Sequence, residues 1–224
     1  MAHEENKAFL RRVPLFSSLS EGQLDQLAAG SVRKNYPRAR TIVSEGEPSQ
    51  SLYILLSGRA KVQRSDSEGK EVILAVIGPG EFFGEMSLID DAPRSASVIT
   101  IESSDFMAIN KDSFKAMLIQ SPDIGMQIMK GLVRRLREAD KKIETLALLD
   151  VYGRVARVLL DFSENVGGER IVKGRLPRQE IAKMIGASRE MVSRVMKGLE
   201  IDGYIVPMPE GRLVLREKIS AYIS

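Results

Sequence analysis

From about Val32 to Ile109, short runs of Val, Ile, Leu, Tyr and Phe are broken by Gly46, Gly58, Gly69, Gly78, Gly80 and Gly84. This spacing predicts short strands joined by tight turns, as in an all-β barrel or sandwich. Residues 58–77 form the clearest hairpin, two strand-like arms around a polar turn from Ser65 to Gly69. Ahead of the strands, LSEGQLDQLAAG predicts a short helix with Ser20 as N-cap and Gly30 just past its end. From about Ile124 to Leu149 the period becomes helical. Met129, Leu132, Leu136, Ala139, Ile143 and Leu146 recur at steps of 3 and 4, with Arg134, Arg135, Arg137, Glu138, Lys141 and Lys142 between them. Such a heptad seam fits a dimeric coiled coil, or a helix packed on its own domain. A third texture starts at Val151. Val151, Val155, Val158, Leu159 and Phe162 predict an amphipathic helix ended by Gly167 and Gly168. Two further helical segments follow, separated by Gly186 and Ala187, with Pro177 in the first turn of one and Ser188 as N-cap of the next. Residues 203–215 then alternate around Glu210 and Gly211 as a two-stranded wing would.

A length of 224 residues suits two modest domains, and 43% hydrophobic with 28% charged residues is the balance of a soluble globular protein. The absence of cysteine excludes disulfides, thiolate metal sites, cysteine nucleophiles and cysteine-held iron–sulfur clusters. The lone His3 lies in a polar start expected to be mobile, which leaves no source for histidine triads, histidine-held metals or a proximal haem ligand. Together these exclusions argue against an enzyme, and the neighbouring carboxylates Asp90 and Asp91 have no nameable catalytic partner. No apolar run approaches the roughly 20 residues of a membrane helix, and the first residues lack the apolar segment of a secretory signal. The expectation is a cytoplasmic protein.

Charge sharpens the reading of the C-terminal third. The chain carries only +3, yet eight bases (Arg170, Lys173, Arg175, Arg178, Lys183, Arg189, Arg194 and Lys197) face two acids, Glu180 and Glu190, between residues 170 and 197. A local positive field of this kind neutralises phosphates and releases counterions. A helix, a glycine turn and a second helix can place the second helix in the DNA major groove. On that helix Arg189, Glu190, Ser193, Arg194 and Lys197 share one face, and Val192, Val195, Met196 and Leu199 the other. Arginine can donate a bidentate pair to guanine, and glutamate can accept from the cytosine amino group. Arg178 with its neighbour Gln179, and Ser188, stand at helix starts where backbone N–H groups favour phosphate.

A second motif lies in the strand-rich part, GEFFGEMSLIDDAPRSASVIT. Gly84 permits close backbone approach, Glu85, Met86 and Ser87 can turn amides inward, and Arg94 with Ser95 supplies a guanidinium and a hydroxyl, a set suited to a small phosphate ester. With FGEMSLIDDAPRSASV as a phosphate-binding cassette, SREMVSR as a recognition helix and LLDVYGRVA as a hinge, the chain resembles the cyclic AMP receptor protein/FNR family of bacterial transcription regulators over nearly all its length. The resemblance implies an α+β architecture: a cyclic-nucleotide-binding β-roll over residues 1–121, a central dimerisation helix over 122–149 and a winged helix-turn-helix over 150–224.

It also implies residue roles. Gly84 and the amides near Glu85, Met86 and Ser87 would hold the ligand, Glu85 would accept the ribose 2′-hydroxyl, and Arg94 with Ser95 would grip the cyclic phosphate. Arg135 matches a ligand-side position on the central helix. Arg189, Glu190 and Arg194 match base readers of the cyclic AMP type, implying TGTGA-like half-sites in a two-fold operator read by a homodimer, with RNA polymerase as a further partner and Asp150 to Gly153 as the hinge. Ser193, Glu190 and Arg194 also preserve the pattern of the FNR branch. Two hydroxyl residues that contact adenine in the cyclic AMP receptor are here Ala139 and Asp140. Asp140, an acceptor when ionised, suits a guanine edge, which opens cyclic GMP or cyclic di-GMP beside cyclic AMP; alternatively it pairs with Arg137 or stays solvated. Rival expectations are a regulator of the same fold that binds no nucleotide, and a nucleotide-binding regulatory subunit of an enzyme.

Overall fold

A computed structural model describes residues 2–172, 174 and 176–223; Lys173 and Arg175, two of the eight bases counted above, lie outside the described residues. The chain divides into two compact units, Met1–Arg135 and Leu136–Ser224.

The first unit opens with α1 (Ala2–Leu10), a 3-10 turn at Pro14–Phe16 and α2 (Glu21–Ala29). The polar start, expected to be mobile, is instead helical: Leu10 is fully buried, and Lys7 and Arg11 ion-pair with Asp25 and Glu21 of α2 at 2.7 and 2.6 Å. Ser20 caps α2 in a reciprocal capping box with Gln23, as its sequence predicts. The strands are β1 (Ser31–Tyr36), β2 (Thr41–Val43), β3 (Ser51–Ser57), β4 (Ala60–Ser65), β5 (Glu71–Ile77) and β6 (Phe82–Phe83); after the short α3 (Glu85–Ile89) come β7 (Ser97–Thr100) and β8 (Ser104–Asn110). They form two antiparallel sheets, ordered β1-β8-β3-β6 and β2-β7-β4-β5. The β4–β5 hairpin pairs Ser65 with Glu71, so the polar turn sits where the sequence puts it.

Strand alternation divides the core. Leu55, Phe83 and Phe106 of one sheet meet Val43, Ala60, Ile77 and Val98 of the other, and fill the roll. Leu52, Ile54, Phe82, Met107 and Ile109 join a second cluster with Leu24 and Leu27 of α2, Phe114 and Met117 of α4 (Lys111–Gln120), and Ile124 and Ile128 at the start of α5 (Pro122–Leu148). Helices thus cover one sheet, and the cassette segment lies in the chain between β6 and β7. Along α5 the heptad positions Met129, Leu136, Ile143 and Leu146 are exposed, Leu136 at 62% and Ile143 at 65%, whereas Leu132 packs against the first unit's core.

The second unit continues with α6 (Val151–Asp161), β9 (Ser163–Val166), β10 (Glu169–Val172), α7 (Arg178–Ile185), α8 (Arg189–Ile201), β11 (Ile205–Pro207), β12 (Leu213–Leu215) and a 3-10 segment Glu217–Ile223. Its sheet runs β11-β12-β10-β9. Two expectations are corrected. Gly167 and Gly168 do not end a helix: α6 stops at Asp161, and the two glycines, at φ 62° and 89°, turn a hairpin in which Val166 pairs with Glu169. Pro177 is the N-cap of α7, not part of its first turn. The wing forms as predicted, β11 and β12 pairing antiparallel around Pro209–Gly211. Val155, Leu159, Ile181, Ile185, Val192, Val195, Met196 and Leu199 form one buried core under the helices.

Candidate functional site

The cassette is built around the turn from β6 into α3. Gly84 caps α3 at φ 88°, a left-handed conformation that costs other residues energy. It has a second reason to be glycine: a Cβ there would lie 2.0 Å from Nη1 of Arg94 and 3.0 Å from the Ser51 carbonyl oxygen. The Arg94 guanidinium occupies that space, donating to the Gly84 carbonyl at 3.1 Å and the Ser51 carbonyl at 2.6 Å. Its Cζ lies 5.7 Å from the Tyr53 ring centroid, and Tyr53 stacks on Phe83 at 5.1 Å. Burial pulls the Arg94 guanidinium below the ordinary arginine range.

Glu85 is 1% exposed. Its Oε1 accepts from Nη1 of Arg135 at 2.5 Å, and Arg135 Nη2 donates to the Phe82 carbonyl. The other carboxylate oxygen, Oε2, is buried with no hydrogen-bond partner. Burial pushes the Glu85 carboxyl up from the usual range, and the Arg135 charge opposes the rise. A buried acceptor left open is costly unless some donor fills it.

The structure therefore gathers Gly84, Glu85, Arg94 and Arg135. Ser87 is buried but hydrogen-bonds to the Pro93 carbonyl at 3.2 Å, and Met86 and Ser95 are exposed. Ala139 and Asp140 are exposed and belong to the second compact unit. Asp90 accepts through Oδ1 from the Ala92 amide of its own loop and Asp91 ion-pairs with Lys111 of α4 at 2.5 Å, so both carboxylates have structural partners. Nothing in the sequence marks the Ser51 carbonyl, Tyr53 or Phe82 as parts of this site, because β3 is remote in sequence and aromatic residues in strands ordinarily read as core.

The second constellation lies on α7 and α8. Gly186, at φ 64°, turns the chain between them, and Ser188 caps α8 by accepting from the Met191 amide at 3.1 Å. Replacing Ser188 by alanine should cost about 1 kcal/mol of stability in the second unit, read from its denaturation midpoint. Arg178, Gln179, Ser188, Arg189, Glu190, Arg194 and Lys197 are exposed and Ser193 is half-buried, whereas Val192, Val195, Met196 and Leu199 are buried. Arg154 of α6, which sequence reasoning missed, donates to the Ile185 carbonyl at 3.1 Å and so satisfies the end of α7. A charged outer face, a buried inner face and a fixed interhelix turn make a helix-turn-helix able to present α8 to a groove.

These features define a β-roll whose β6–α3 turn gathers Gly84, Glu85, Arg94 and Arg135, followed by a winged helix-turn-helix. Residues 33–121 match the family described as cyclic nucleotide-binding domain, and residues 153–218 the Crp-like helix-turn-helix domain. The chain is 34% identical over 210 residues, 92% of this chain and 93% of the relative, to the CRP-like cAMP-activated global transcriptional regulator of Mycobacterium tuberculosis. Among solved structures, the c-di-GMP-responsive global regulator CLP of Xanthomonas campestris is 31% identical at a TM-score of 0.74, over 88% of this chain and 99% of that one. The Thermus thermophilus catabolite activator protein is 33% identical at a TM-score of 0.53, over 94% and 100%. The chain belongs to the CRP/FNR family of transcription regulators, whose members named here are regulators and not enzymes. No helix among the described residues is long and apolar enough to cross a membrane.

Proposed function

We propose that this chain is a homodimeric, sequence-specific transcription regulator whose DNA affinity is set by a cyclic nucleotide held in the β-roll, with cyclic AMP as the first ligand. The observation that carries the reading is the open Oε2 of buried Glu85, an acceptor suited to a ribose hydroxyl, beside the buried guanidinium of Arg94, a donor suited to a cyclic phosphate. Gly84 and Ser95 complete the phosphate side, with the amides of Glu85, Met86 and Ser87; Arg135 fixes Glu85. To receive a phosphate, Arg94 would exchange at least one of its two backbone carbonyls for the ligand. The exposed seam of Met129, Leu136, Ile143 and Leu146 supports dimerisation through α5. Arg189, Glu190 and Arg194, with Ser193 and Lys197, would read TGTGA-like half-sites, and Arg178, Gln179 and Ser188 would contact phosphates. RNA polymerase is the implied further partner, in the cytoplasm.

A guanine ligand, cyclic di-GMP or cyclic GMP, is the second reading. Ala139 cannot hydrogen-bond to adenine through its side chain, Asp140 is an exposed acceptor, and the structurally similar CLP is described as c-di-GMP-responsive.

Calorimetry with cyclic AMP, cyclic GMP and cyclic di-GMP decides between them: tighter binding of cyclic AMP supports the first reading, and tighter binding of a guanine ligand replaces it. DNA binding measured with and without nucleotide tests the coupling, because a ligand shifts DNA affinity only if it binds the two states unequally; unchanged affinity overturns nucleotide control. Arg189→Ala should weaken binding to the preferred half-site by about 1–3 kcal/mol and relax preference at one guanine, in a competition against sequence-randomised DNA.

A further inference from the structure

We propose that Gly131 of α5 is a positioning residue for the cassette: its missing side chain seats the helix on the Phe82 ring and so brings Arg135 onto Glu85. The proposal deepens the nucleotide-site reading above and assigns the site a residue that touches neither ligand nor charge.

A Cβ on Gly131 would lie 2.8 Å from Cζ and 3.3 Å from Cε1 of Phe82. Phe82 is 7% exposed and packed in the core beneath the helices, so its ring has little room to swing away. Arg135 follows Gly131 by four residues, on the same face of the helix. Its guanidinium lies 5.0 Å from the Phe82 ring centroid, donates to the Phe82 carbonyl and holds Glu85 Oε1 at 2.5 Å. Phe82 thus meets the helix twice, with its ring and with its carbonyl, and both contacts require close approach at Gly131. Gly125 of the same helix supplies the contrast, since a Cβ there would meet nothing within 4 Å. Glycine weakens a helix interior relative to alanine; at position 131 the gain in propensity is opposed by a collision, and at 125 it is not.

The test is the titration of the Glu85 carboxyl, followed by carbon NMR in the full-length ligand-free protein, together with cyclic nucleotide affinity. The charges bearing on Glu85 are those of Arg135 and Arg94. Arg135→Gln defines the titration expected when the pair is lost. Gly131→Ala should move the Glu85 midpoint upward toward that of Arg135→Gln, while Gly125→Ala leaves it at the wild-type value. Adding Phe82→Leu to Gly131→Ala should return it toward the value of Phe82→Leu alone, and this double variant carries the test if Gly131→Ala does not fold. A wild-type Glu85 midpoint in folded Gly131→Ala, or a double variant that stays shifted, overturns the proposal. Nucleotide Kd should rise about tenfold in Gly131→Ala, the scale of one charge-assisted hydrogen bond, with Gly125→Ala unchanged; an unchanged Kd in Gly131→Ala overturns the link to binding. If the wild-type protein binds none of the three nucleotides, the functional reading fails, while the Glu85 titrations still decide whether Gly131 seats Arg135.

Discussion

Replacing Gly84 by alanine is expected to destabilise the first unit by about 2–4 kcal/mol and to remove its nucleotide response in the same step. Two penalties act at one position. The left-handed backbone at φ 88° disfavours any side chain, and the new Cβ would fall 2.0 Å from Nη1 of Arg94. Arginine side chains are flexible, but this one is 6% exposed and bonded to the Gly84 and Ser51 carbonyls. Displacing it strands buried donors and acceptors together. Urea denaturation of the full chain, with separate probes for the two units, should show a lower midpoint for the first unit and an unmoved second one. Preserved stability of the first unit would show that the cassette loop can re-form without Arg94 packed against it.

Arg135→Gln should show a loss of stability that grows with pH. Glu85 is buried, and burial already holds its folded-state carboxyl above the ordinary value even with Arg135 in place. Between the unfolded and folded values, the folded state binds more protons than the unfolded chain, so unfolding releases them and stability falls as pH rises through that window. Removing the Arg135 charge raises the folded value further, widening the window and deepening the loss. Above it the variant buries a carboxylate with one fewer counter-charge, a defect worth about 3–5 kcal/mol for a fully buried pair, reduced here because the Arg135 side chain is 30% exposed. Glu85→Gln should abolish the pH-dependent part. Denaturation curves collected from acid to neutral pH would separate the variants, and equal slopes for Arg135→Gln and the wild-type protein would contradict the account.

What the sequence made legible follows from how local each signal is. Ser20 and Ser188 were readable as caps because an N-cap acts within three residues, and the structure places both as caps. The β4–β5 hairpin and the wing were readable because turn and strands adjoin. The β9–β10 hairpin is not: Ser163, Glu164 and Asn165 are polar and Val166 is exposed, so no hydrophobic alternation announces a strand, and the two glycines after them resemble a helix stop. The helical start at α1 is hidden for a similar reason: its own pattern is polar, and the burial of Leu10 and the ion pairs to α2 appear only in the fold. For the site, the cassette residues are legible together because they lie within a dozen positions, and Arg135 only through family resemblance. Ser51, Tyr53 and Phe82 entered with the fold, since a backbone carbonyl or a ring that holds an arginine carries no mark in the sequence.

The division of α8 into a buried inner face and an exposed outer one has a consequence for how such a protein changes over generations. Arg189, Glu190, Arg194 and Lys197 contribute little to the core, so exchanging any of them costs little folding stability. Val192, Val195, Met196 and Leu199 can stay fixed while the exposed residues vary. On the DNA-reading role proposed for this outer face, lineages can therefore retarget such a protein to new operators one side chain at a time, each intermediate still folded.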